Sequence, residues 1–173
     1  SCVSVQFKVP QPIQRKAKKE FPISIIGKYN FLSDTLIINR TSIQIPIQLS
    51  EESGRARKMN ISDSLVLKHY KNAYFLSIRD KNEKWDVLVL GQNKDKNLIV
   101  KSSISMKIES DSMIINKQFD RDKEIKKLMS EYSYLETVNL LSSTYCINPT
   151  RRELNQLIKK NLFREIIVLT RIK

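Results

Sequence analysis

Few side chains in this sequence combine a reactive type with a useful spacing. Asp80, Glu83 and Asp86 form a close run of carboxylates. Two such groups can serve as acid and base of a glycosidase, or can hold a hard cation. Their neighbours Arg79, Lys81 and Lys84 carry the opposite charge, so the run reads as a charge-balanced, solvated hairpin turn. His69 is the single histidine. A triad needs a nucleophile and an orienting carboxylate around such a base, and no Ser or Cys stands recognisably placed for it. Cys2 and Cys146 are far apart in the sequence. With one histidine they do not make a four-ligand zinc set, although in an oxidising compartment they could pair with each other. The three glycines, Gly27, Gly54 and Gly91, are scattered and cannot build a phosphate-binding loop. No catalytic residue, no metal and no cofactor is therefore assigned. A hydrolase working through carboxylates alone ranks third among the functions considered.

The elements that would position these groups follow from apolar periodicity. Val3, Val5, Phe7 and Val9 alternate with polar residues, the signature of a half-buried strand. Pro10 and Pro12 end it, and the basic stretch Arg15 to Lys19 follows. Strands are expected near 22–31, 35–40, 43–49, 64–70, 73–79, 84–91, 97–108 and 112–117. Asn- and Asp-rich turns separate several of them, because these residues tolerate turn dihedrals. Ser50 to Asn60, with Arg55, Arg57 and Lys58, reads as an exposed loop. The last third changes period. Ile125, Leu128, Met129 and Tyr132 fall on one face of a helix, with Asp120 at the expected N-cap. Thr150 and Glu153 form a capping box before the stripe Leu154, Leu157, Ile158 and Leu162. Residues 134–147 suit a strand, with a helix over 134–142 as the alternative, and Arg164 to Lys173 form a C-terminal strand covered on both faces.

The predicted class is α+β: an antiparallel β meander, barrel-like or sandwiched, followed by two amphipathic helices and a C-terminal strand. Residues 1–20 are assigned to an N-terminal strand and basic tether, and 21–173 to a single domain. Its meander covers 21–117 and its helix and strand part 118–173. Gly27 and Tyr29 faintly resemble the Gly-x-Trp opening of lipocalin-type barrels, which would imply a barrel mouth holding a small apolar ligand.

The net charge is +13 and unevenly spread. Residues 1–60 hold ten basic against four acidic residues, 61–116 nine against seven, and 117–173 twelve against seven. Aromatics mixed with cations, as in Lys68-His69-Tyr70-Lys71 and Lys84-Trp85, lie in the nearly neutral middle. A stacking platform and its phosphate contacts would thus come from different segments, so nucleic acid is not the expected partner.

Ser1-Cys2, a small residue followed by cysteine, resembles the processed junction of bacterial lipoproteins. With the Ile-, Asn- and Lys-rich composition and β-rich body, the chain is similar to small Bacteroidota-type envelope lipoproteins. That resemblance implies a lipid anchor on Cys2, a cell-envelope location and a membrane partner, with a non-enzymatic binding or structural role. Arg15, Lys16, Lys18, Lys19, Arg55, Arg57 and Lys58 are the residues expected to meet anionic headgroups. An acidic protein or envelope polymer would suit the same charge. The alternative is a basic nucleic-acid-binding domain.

Overall fold

Strict alternation sorts the side chains of the central strands onto two faces. In β7 (Leu65–Tyr70) Leu65 and Leu67 go to one side, Val66 and Tyr70 to the other. In β9 (Trp85–Gln92) Leu88 and Leu90 share the first side, while Trp85, Val87 and Val89 share the second. A sheet that is apolar on both faces must be covered on both. A computed structural model of the chain, describing residues 2–31, 34–45, 57–103, 112–132, 134–139 and 142–172, has that arrangement.

Among the described residues there are two sheets. The smaller is a four-stranded meander of β3 (Gly27–Phe31), β4 (Asp34–Ile38), β5 (Ser42–Ile45) and β6 (Arg57–Asn60). The larger is nine-stranded and forks. Its trunk is β7, β8 (Ala73–Arg79) and β9, with the two-residue β2 (Ala17–Lys18) on the outer edge of β7. Beyond β9 the sheet divides. One branch starts where Phe7 of β1 (Cys2–Phe7) meets Trp85, and continues through β12 (Ser142–Ile147) and β11 (Leu135–Asn139). The other runs through β10 (Leu98–Ser102) to β13 (Arg164–Leu169). Helices α1 (Ser112–Met129) and α2 (Arg151–Lys159) cover the remaining face. The order of layers is small sheet, large sheet, helices.

Each gap between layers has its own core. Tyr29, Ile38, Leu65, Leu67, Leu76, Leu90 and Leu98 fill the space between the sheets. Val3, Val5, Phe7, Phe75, Trp85, Ile125, Met129, Leu154 and Leu157 fill the space under the helices. The sheets also join at one side. Tyr29 bridges Arg171, flanked by hydrogen bonds from Asn30 to Thr170 O and from Ile172 to Lys28 O, both 2.9 Å. Arg171 reaches back to the carbonyls of Ile26 (2.6 Å) and Ser24 (3.2 Å). Its guanidinium lies where a side chain on residue 27 would sit, 3.1 Å from that Cβ position, and Gly27 has φ +158°. The Gly27–Tyr29 pair thus serves this seam, and the interior beside it is filled by buried side chains rather than opened as a barrel mouth.

The α+β class is the one expected, with the meander split between two packed sheets. Several expectations need correction. Residues 112–117 are helical and Asp120 lies within α1, not at its cap. A short β-branched run such as Met113-Ile114-Ile115 fits either state, and the 3.6-residue spacing that follows carries it into the helix. Residues 57–60 form β6 rather than loop, and 134–147 hold two strands rather than one. β13 is not covered on both faces: it pairs β10 alone along Leu98–Ser102, and Val168 is 42% exposed. The far ends of the strands expected at 43–49 and 97–108 lie outside the described residues. The N-terminal strand expected from Val3, Val5 and Phe7 is present as β1, with these three side chains fully buried. A Cys2–Cys146 disulfide is ruled out by register. Cys146 stands opposite Gln6 and Cys2 opposite Ser142, about 13 Å apart along the strands, beyond the reach of a disulfide.

Candidate anion-binding site

The turn after β1 is pinned from beneath. Lys68, 8% exposed, donates from Nζ to Pro10 O (2.9 Å) and Pro12 O (3.0 Å). Ser77 Oγ accepts from the Gln11 amide at 3.1 Å. Burial pushes the Lys68 ammonium below its ordinary pKa. Held this way, the turn carries Arg15 over the ring of Tyr70, with Cζ 5.3 Å from the ring centroid. Lys71 approaches the same ring, Nζ at 5.4 Å, from the β7–β8 hairpin. It does so with φ +54°, a left-handed conformation uncommon for a residue with a side chain.

A third cation arrives from α2. Thr150 caps that helix through the full capping box: Glu153 N donates to Thr150 Oγ1, and Thr150 N donates to the Glu153 carboxylate at 2.7 Å. Those bonds to Thr150 hold the Glu153 carboxyl below the usual carboxylate range. Arg151 and Arg152 occupy the first helical positions. The helix dipole disfavours cations there, by roughly the 0.3–1 kcal/mol each would gain at the other end. Arg151 faces Arg15 across a groove of about 320 Å³ lined by Pro12, Gln14, Arg15, Tyr70 and Arg151. The Tyr70 hydroxyl meets Asn155 Oδ1 at 2.5 Å. Burial works against ionising this phenol. Hydrogen bonding with Asn155 and Arg151, and the charges of Lys71 and Arg151, outweigh it and lower its pKa. Among the described residues no carboxylate lines the groove.

The helix layer around the groove is also cationic. Four of its acids are engaged: Glu124 pairs with Arg164 at 2.6 Å and Arg121 at 3.5 Å, Glu131 with Lys160, Glu153 with the cap, and Asp122 accepts from the Val3 amide. Lys126, Lys127, Arg151, Arg152 and Lys159 are exposed on the same layer. A second, shallower groove follows α2 between Arg151, Arg152, Asn155, Gln156 and Lys159.

The residues singled out by sequence divide. Arg15, Lys16, Lys18 and Lys19 are exposed, and only Arg15 joins the Tyr70 groove. Arg57 and Lys58 are exposed on β6 of the small sheet, in the opposite layer, and Arg55 lies outside the described residues. Cys2 opens β1, and the Val3 amide beside it donates to Asp122 of α1 at 3.1 Å. His69 packs its ring on cross-strand Tyr74 at 4.7 Å, and Trp85 belongs to the core. The carboxylates of the β8–β9 turn are structural. Asp80 accepts from the Asn82 and Lys84 amides at 2.8 Å and, with Asp86, from Gln6, while Glu83 pairs with Arg79. Among the described residues no group of His, Cys, Asp and Glu could hold a metal ion. Sequence reasoning missed Arg151 and Asn155 as site residues, and weighed Tyr70 and Lys71 only as a stacking platform for nucleic acid. The one local signal was a pair of arginines directly after a capping threonine, where acids are preferred.

No protein-family profile, curated protein or solved structure matches this chain.

Proposed function

We propose that this chain is a non-enzymatic binding domain of the bacterial cell envelope, carried on a membrane by a lipid on Cys2, with its helix layer against anionic headgroups. The observation that supports it most is the charge imbalance of that layer. Glu124, Glu131 and Glu153 are engaged in ion pairs and a cap and Asp122 accepts from the Val3 amide, while Lys126, Lys127, Arg151, Arg152 and Lys159 stay exposed. The Cys2 end of β1 adjoins the same layer through the Val3–Asp122 hydrogen bond. A single acyl chain binds marginally, and a basic patch beside it supplies the second signal for stable anchoring. No described helix is long and apolar enough to cross a membrane.

Unlipidated protein should bind phosphatidylglycerol vesicles in preference to phosphatidylcholine, and lose binding as salt rises. Each cation near the surface contributes about 1 kcal/mol. Neutralisation of Lys126, Lys127 and Lys159 to Gln should therefore weaken binding on the order of 100-fold. In cells, labelled palmitate should enter the wild type but not Cys2→Ala. Vesicle binding indifferent to lipid charge would remove the headgroup reading, and equal labelling of both proteins would remove the anchor.

The nucleic-acid reading gains one observation: the fold brings Arg15 and Arg151, from the two basic ends, to Tyr70. Tyr70 is only 6% exposed, and Arg15 and Lys71 lie over its ring. A base cannot stack there without displacing them, so the arrangement favours a compact anion over a stacked strand.

A further inference from the structure

We infer that the Tyr70 groove is a discrete site for one phosphate group, borne by a phosphorylated headgroup or free in solution. The inference rests on reading the helix layer as an anion-binding surface, and adds to it a defined pocket and ligand class. Two arginines from separate elements line it, Arg15 from the pinned turn and Arg151 from the start of α2, and a third cation, Lys71 of the hairpin, lies over the ring of Tyr70 that forms part of its wall. Like charges so close repel, and among the described residues no carboxylate lines the groove to offset them. An anion bound between them relieves that repulsion, and the forked guanidiniums of Arg15 and Arg151 suit phosphate oxygens. The Tyr70 hydroxyl donates to Asn155 Oδ1, which leaves the Asn155 side-chain NH2 as the neutral donor beside the cations. The first turn of α2 adds the positive end of its dipole.

The geometry is also prepared in advance. Lys68 and Ser77 fix the turn that carries Arg15, and the Thr150 capping box fixes the start of α2. Neither anchor draws on the three cations, so the site does not have to be assembled by its ligand. The exposed lysines elsewhere on the layer have no such support and fit a diffuse surface instead.

The test has two arms on the unlipidated protein. In the first, inorganic phosphate is titrated while the backbone amides of Lys71, Arg151 and Asn155 are followed by NMR. Saturable one-to-one shifts are expected, weakened at least tenfold in the double variant Arg15→Ala, Arg151→Ala. In the second, the wild type and the same variant are compared on phosphatidate vesicles. Loss in both arms assigns the site to a headgroup phosphate, and loss confined to the first assigns it to free phosphate. Loss in neither arm, with the variant folded by circular dichroism, overturns the inference. Lys126→Glu, Lys127→Glu should lose vesicle binding while keeping the phosphate shifts. If vesicles fail to bind the wild type while phosphate still saturates, the headgroup reading falls and the site stands.

Discussion

Arg121 and Arg151 belong to the same helical layer and have opposite fates. Arg121, 9% exposed, donates to Leu162 O and shares Glu124 with Arg164. It fastens α1 to the segment entering β13, and burial lowers its pKa despite the carboxylate beside it. Arg151 is exposed, begins a helix whose dipole disfavours it, and shares its groove with a second arginine, Arg15. The first arginine has every polar obligation met within the chain. The second is held where its charge is least comfortable. An arginine whose interactions are complete stabilises a fold, and one left with a surplus of like charge is available to a ligand.

The contrast is broken most severely at the seam. Arg121→Leu removes the bond to Leu162 O and leaves Glu124 with one partner. Glu124 is 46% exposed, so water offsets part of the loss, and a cost of about 2–3 kcal/mol is expected in urea unfolding. A loss under about 0.5 kcal/mol would show that the seam is ornamental.

In the groove the expected sign reverses. Lys71→Gly removes a cation and relieves the left-handed backbone, so stability should rise by about 1 kcal/mol while phosphate affinity falls. If stability and affinity fall together, Lys71 is a structural residue and the contrast with Arg121 disappears.

The smallest effect concerns the cap that sets Arg151. Glu153 titrates below its ordinary value in the fold because of its bonds to Thr150. A depressed acid contributes stability above its unfolded pKa of about 4.5, and that contribution is lost as pH falls through the folded value. Wild type should therefore lose a small stability increment below pH 4.5 that Glu153→Gln lacks. Identical acid limbs for the two proteins would mean that the box does not hold the start of α2.

Much of this architecture was legible in the residues. Period-2 alternation located β1 and the trunk strands, and the Thr150–Glu153 spacing located α2, because each depends on neighbours in sequence. The 112–117 segment was not legible, since a few β-branched residues satisfy strand and helix alike. The groove was illegible for a different reason. Arg15, Lys71 and Arg151 come from the basic N-terminal segment, the near-neutral middle and the basic C-terminal segment. Only the packing of α2 on the large sheet, through Leu154 and Leu157, unites them. The charge map argued that cations and aromatics lie in different regions. That holds along the chain and fails in space.

The parallel pairing of β1 with β12 has a consequence for how the molecule is made. Ser4 meets Thr144 across 140 positions, so β1 is synthesised long before the strand it pairs along its whole length. Until then its one sheet contact among the described residues is at Phe7, against Trp85, and Val3 and Val5 have no strand beside them. Contacts of such separation slow folding, because the loop must close before the pairing repays it. The nascent strand therefore spends that interval as a largely unpaired apolar edge, the state in which a holdase would bind it and a neighbouring chain would aggregate with it.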